Sequence, residues 1–116
     1  MSDKPLFWVG SSRSDLRAFP RDARRVAGFQ LRRVQQGLEP NDWKPMPTVG
    51  PGVREIRIHT GLEHRVFYVA KFTEGVYVLH VFEKQTRKTP KRELELARER
   101  FRSLVRKRRN KSSSGR

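Results

Sequence analysis

Apolar residues fall along the chain in runs whose spacing changes from one segment to the next. Leu6–Phe7–Trp8–Val9 is a short apolar run closed by Gly10–Ser11–Ser12, the pattern of a brief buried strand. Ser12 or Ser14 then caps a first helical turn with Leu16 and Phe19 on one side. Pro20 opens a second helix at the position where its missing N–H would have no partner anyway. Ala23, Val26, Ala27, Leu31 and Val34 recur there at three- and four-residue spacing. They are flanked by Arg21, Arg24, Arg25, Arg32 and Arg33, and Gly37 supplies a left-handed stop. From Glu39 to Gly52, Pro40, Pro45, Pro47, Pro51, Gly50 and Gly52 read as a loop, with Trp43 and Met46 as apolar anchors and Lys44 facing solvent.

The period then shortens to two. Val53–His59 alternates Ile56 and Ile58 with Glu55, Arg57 and His59, and two more apolar strands follow at His64–Phe72 and Val76–Phe82. The spacers between them are too short for a crossover, so the three form an antiparallel meander. Thr89 and Pro90 open a final helix whose stripe is Leu94, Ala97, Phe101, Leu104 and Val105. Its acids sit early and its Arg106–Arg109 run sits late, the order the helix dipole favours. The sum is an α+β fold, β-α-α-β-β-β-α, with a small antiparallel sheet backed by helices. One domain is expected over residues 1–109, followed by a basic, serine-rich disordered tail over 110–116.

Composition adds a partner class. The 116 residues hold 27 Lys and Arg against 12 Asp and Glu, a net charge of +15, yet also 7 Phe, 2 Trp and 2 Tyr. That many aromatics argue for a folded core, and the charge points to polyanions: nucleic acid, the ribosome or an acidic protein. The charge is uneven, with 13 basic and 9 acidic side chains up to Glu83 and 14 against 3 from Lys84 onward. The absence of cysteine excludes disulfides, thiol nucleophiles and cysteine-based zinc sites, and His59, His64 and His80 have no metal-ligand spacing. No cofactor is called for. No apolar run is long enough for a membrane span and no signal-peptide h-region opens the chain, so a cytoplasmic location is the default.

In the meander, Glu55, Arg57 and Arg65 can converge on one surface with Lys84 at its edge. Fixed guanidinium forks suit phosphate, and a carboxylate beside them is kept ionised and able to accept a proton. The set matches metal-independent RNA cleavage, in which the 2′-OH attacks its neighbouring phosphate. Glu55 is the candidate base, Arg57 and Arg65 stabilise the phosphorane, and Lys84 serves as acid or electrostatic partner. Lys44, Arg54, Lys88 and Lys91 are the candidate RNA-binding cations around it. The bland readings are an exposed Glu55–Arg57 ion pair, Arg65 as an edge-strand charge, Tyr68 in the core and His80 as a satisfied core histidine. His59 and His64, flanking a turn, are expected to be exposed.

Val53–Arg54–Glu55–Ile56–Arg57–Ile58, Glu63–His64–Arg65–Val66–Phe67–Tyr68–Val69, Val76–Tyr77–Val78–Leu79–His80–Val81–Phe82–Glu83–Lys84 and Lys88–Thr89–Pro90 occur in an order that resembles the RelE/ParE toxin superfamily. The similarity spans roughly residues 5–105 and is nearest the phage-derived RelE-like (HigB-type) branch. The resemblance implies the toxin of a type II toxin–antitoxin pair, with a helix-turn-helix antitoxin as partner and mRNA on the ribosome as target. It also implies that Arg65, Arg57 and Lys84 carry the chemistry, with Glu55 a weaker transfer. Gln85 stands where the family pattern has a second lysine. Two other functions remain open: a ParE-like inhibitor of DNA gyrase, and a basic RNA- or ribosome-binding module without catalysis.

Overall fold

In the computed structural model, which describes residues 3–114 and side chains through Lys111, three antiparallel strands form the centre of a five-stranded sheet. These are β3 (Val53–His59), β4 (Glu63–Val69) and β5 (Val76–Glu83). Two short strands flank them: β1 (Leu6–Trp8), parallel to β5, and β2 (Trp43–Pro45), antiparallel to β3, in the order β1-β5-β4-β3-β2. The helices are α1 (Ser12–Arg17), α2 (Arg21–Gln35) and α3 (Lys91–Ser114). The α+β class and the meander agree with the sequence pattern, but two features of the sheet depart from it. The segment read as loop contributes β2, because an edge strand tolerates Pro45. It is held by bonds from Met46 N–H to the Val53 carbonyl at 2.8 Å and from Arg57 N–H to the Asp42 carbonyl at 2.9 Å. In addition, β1 pairs in parallel, so the sheet is only mostly antiparallel.

Helix ends follow backbone chemistry with one-residue shifts. Pro20 and Pro90 lie just before α2 and α3, and their carbonyls accept the first helical bonds, from Arg24 at 2.9 Å and from Glu93 at 3.1 Å. Ser12 is no cap: it is buried and donates to the Val78 carbonyl at 3.0 Å, pinning α1 to β5. Gly37 at φ +83° ends α2, with Leu38 N–H bonded to Arg33 O and Gly37 N–H to Val34 O. The backbone of residues 110–114, expected as tail, continues α3, since extending an existing helix carries no nucleation cost. Gly115 and Arg116 lie outside the described residues.

Both faces of the sheet are covered, which is why β4 and β5 read as almost continuous apolar runs. On one face Ala23, Ala27, Leu31 and Val34 of α2, with Leu16 and Phe19, pack on Ile56, Ile58, Val66, Tyr68, Val76, Val78 and Val81. On the other, Ala97, Phe101 and Leu104 of α3, with Met46 and Val49, pack on Val53, Phe67, Val69, Leu79 and Phe82. Burying each large side chain contributes about 1.5–3 kcal/mol. Gly50 admits the Phe101 ring, which any added Cβ would overlap.

Arginines fix the course of α3 along β5. Arg98 donates to the Thr48 carbonyl, Arg100 to the Leu79 carbonyl and to Ser11 Oγ, and Arg108 grips Glu74 with two bonds at 2.6 and 3.1 Å. Those bonds from Arg108 push the Glu74 pKa down to about 2. The face that α3 shares with β3 and β4 carries the charged residues described next.

Candidate functional site

Alternation along β3 sends Glu55 and Arg57 to the α3 side, and the tight Thr60–Leu62 turn fixes the register so that Arg57 stands opposite Arg65. Two guanidiniums side by side repel, and Glu55 resolves the conflict. Its Oε1 lies 3.4 Å from Arg57 Nε and its Oε2 3.8 Å from Arg65 Nε, one oxygen toward each cation. The Glu55 side chain is 2% exposed, that of Arg65 7% and that of Arg57 35%. The cluster therefore has a sealed carboxylate, a nearly sealed guanidinium and one that reaches solvent. It is not the exposed surface ion pair that spacing alone allows.

The network continues toward the hairpin end. Arg65 Nη1 donates to Glu63 Oε1 at 3.0 Å and to the His64 carbonyl at 3.0 Å. Glu63 Oε2 lies 2.8 Å from His59 Nδ1, and His59 Nε2 lies 2.6 Å from Asp42 Oδ2. With a carboxylate at each ring nitrogen, the protonated ring donates to both. These bonds, to Glu63 first and then Asp42, raise the His59 pKa, and the same His59 bond lowers that of Glu63. Asp42, His59 and Glu63 were missed as site residues in the sequence. The signal lay in the turn, since a three-residue connection sets His59 directly opposite Glu63.

Of the other predicted residues, Lys44 faces Glu55 across the β2–β3 ladder and is exposed. Lys84 follows β5, with its N–H bonded to the Glu63 carbonyl at 2.7 Å, which brings it to the edge of the same cluster. Arg54 is not part of it. One step out of phase with Glu55, it lies on the α2 face, with its guanidinium 4.1 Å from the Trp43 ring and 4.0 Å from Glu39. Lys88 and Lys91 are exposed beyond β5, and Lys91 pairs with Glu95 at 3.9 Å. His64, expected to be exposed, is buried against Phe19 with ring centroids 4.3 Å apart, and its Nδ1 has no hydrogen-bond partner. It points to the α2 face opposite Arg65, and burial pushes its pKa down. His80 is buried and satisfied by Glu93 at 2.7 Å.

The family model of phage-derived Gp49-like proteins (DUF891) matches residues 14–102, which include every strand residue of the cluster. The chain belongs to the Gp49-like family. This family is associated with RelE-like toxins of toxin–antitoxin systems, and that association implies an antitoxin partner. No curated protein matches the sequence. No helix among the described residues is long and apolar enough to cross a membrane.

In this Gp49-like chain the arrangement offers two guanidiniums fixed at a set separation by one buried carboxylate, with Lys44 and Lys84 on either side. Such a pair can take the non-bridging oxygens of a phosphodiester, because forked donors match phosphate geometry. Glu55, closed off from solvent, accepts a hydrogen bond from Arg57 at 3.4 Å and pairs ionically with Arg65 at 3.8 Å, so it sits between the two arginines.

Proposed function

We propose that this chain is the toxin of a type II toxin–antitoxin pair and that it cleaves mRNA at the ribosome, halting translation without a metal ion. The RNA 2′-OH gives its proton to water and attacks the adjacent phosphorus, the bond to the 5′-oxygen breaks as that oxygen takes a proton from Lys84, and the products are a 2′,3′-cyclic phosphate and a 5′-hydroxyl end. Arg57 and Arg65 stabilise the charge that builds on the phosphorane, and Lys84 assists the leaving oxygen. Glu55 holds the two arginines in register. Lys44 contacts the RNA backbone, and a small helix-turn-helix protein is the antitoxin.

The observation that carries this reading is the Arg57–Glu55–Arg65 fork, nearly sealed at Arg65 and open at Arg57. A buried charge costs free energy unless it is paired, and a guanidinium edge left open beside such a pair suits an anion with two acceptor oxygens, which supports a phosphate ligand. Inducible expression with mapping of mRNA 5′ ends tests it. Wild type is expected to give new ends within translated messages, and folded Arg65→Ala to give none while growth continues. Intact mRNA with a DNA-damage response would indicate gyrase inhibition instead. Ribosome binding without new ends would indicate a non-catalytic module.

A further inference from the structure

The solvent face of α2 breaks three local rules at once. Arg21, Arg25, Gly28 and Arg32 follow at helical spacing on one exposed stripe, with Arg24 and Phe29 beside it. Like charges four residues apart repel within a helix. Among the described residues, Arg13, Arg17, Arg21 and Arg25 have no ion pair and no side-chain hydrogen bond, and on the stripe itself only Arg32 is paired, with Asp3 at 2.9 Å. Gly28 is a poor helix former in mid-helix, yet a Cβ there would meet nothing within 4 Å, so packing does not demand it. Phe29 is 59% exposed. The repelling arginines and the mid-helix glycine lower helix stability, and the Arg32–Asp3 pair offsets only part of that, which is the mark of a surface kept for binding.

The chemistry of the face names the ligand. Seven arginines and no lysine occur between Pro5 and Trp43, and arginine in place of lysine suits recognition by planar, two-pronged donors. A glycine lets a bulky backbone approach closely, and an exposed aromatic ring offers a base a stacking surface. A protein partner would call for a broad desolvated apolar centre, whereas here Phe29 has only Val26 as an apolar neighbour in a groove otherwise lined by Asp22, Arg25, Gln30 and Asn41. We propose that the outer face of α2 binds the phosphate backbone of structured RNA. This attachment surface lies on the side of the sheet opposite the Glu55–Arg57–Arg65 cluster. The inference rests on the reading of the chain as RNA-directed, and it gives α2 attachment, a task separate from cleavage.

The test uses the full chain and a fluorescein-labelled RNA hairpin carrying 2′-O-methyl groups, which cannot be cut, so binding is read whether or not the chain is a ribonuclease. Arg21→Glu with Arg25→Glu is expected to weaken binding about tenfold or more and to flatten the slope of log Kd against log salt by about 2. The control is Arg92→Glu with Arg102→Glu, an equal charge change at exposed positions of α3. Equal weakening in both pairs would reduce the effect to net charge and overturn the proposal. Gly28→Ala is expected to raise the thermal midpoint by about 2–4 °C while weakening binding severalfold. Unchanged binding in that variant would overturn the close approach. If the Arg21/Arg25 pair governs binding of poly-glutamate but not of the hairpin, the occupant is an acidic protein and the RNA assignment fails.

Discussion

Glu55→Gln keeps the shape of the side chain and removes only its charge. Arg65, 7% exposed, then retains one carboxylate, Glu63 at 3.0 Å, while Arg57 and Arg65 face each other without the group between them. At 3.8 Å and an effective dielectric constant near 20, the gross Glu55–Arg65 attraction is about 4 kcal/mol. The attraction to Arg57, at 3.4 Å but 35% exposed, is reduced by solvent. Breaking a buried pair from one side costs about 3–5 kcal/mol, and the surviving Glu63 contact puts this case at the low end, about 3 kcal/mol. For a chain of this size that is a fall of about 10 °C in thermal midpoint. Urea unfolding followed by tryptophan fluorescence, run on Glu55→Gln, Arg65→Gln and the double variant, measures it. The double variant is expected to lose clearly less than the two single losses added together, because it leaves no stranded charge. Additive losses, or less than about 1 kcal/mol from Glu55→Gln alone, would show an ordinary surface pair and refute the reasoning.

Three further outcomes follow from particular contacts. His59, with its pKa raised above 6.5, adds stability that is full below that value and lost as pH rises through its folded pKa. Glu63, lowered from 4.5, adds stability lost as pH falls through its own. The difference in urea midpoint between wild type and His59→Gln is thus largest between these limits and shrinks toward alkaline pH, and a difference that does not change with pH contradicts the clamp. Buried His64 is held neutral, so wild type loses stability as pH falls below 6.5; His64→Phe abolishes that loss and, by removing the unpartnered Nδ1, gains about 1 kcal/mol. Parallel pH profiles of thermal midpoint in the two proteins would argue against it. Gly50→Ala drives a methyl into the Phe101 ring and costs about 1–3 kcal/mol by urea unfolding, partly recovered by Phe101→Leu; an unchanged midpoint would mean that α3 shifts freely.

The meander was legible because Ile56 and Ile58 alternate with charges and the turns are too short for any other connection. From that register the meeting of Glu55, Arg57 and Arg65 follows. The burial of Glu55 does not follow, because a pattern of alternation says which face a residue occupies and not what covers it. The same alternation, applied strictly, places Arg54 and His64 on the α2 face; His64 was expected to be exposed because it flanks a turn, and the packing of Phe19 on that face buries it. β2 was hidden because proline is usually read as a break, and an edge strand asks for only one bonded side. The parallel pairing of β1 leaves no local trace, since its partner lies beyond every other strand in the chain.

That pairing bears on synthesis. Leu6 sits opposite Val76, so β1 has no place in the sheet until β5 has left the ribosome, and Ala97, Phe101 and Leu104 come later still. The β3–β4 hairpin, with the charges of the proposed site, is made well before the helix that covers one of its two cores. A translation product halted ahead of Lys91 therefore carries the hairpin on a sheet with Phe67, Val69 and Leu79 uncovered, the kind of surface that aggregates or is degraded. A fragment of this kind holds every residue of the proposed site, yet the cover of the second core arrives only with α3.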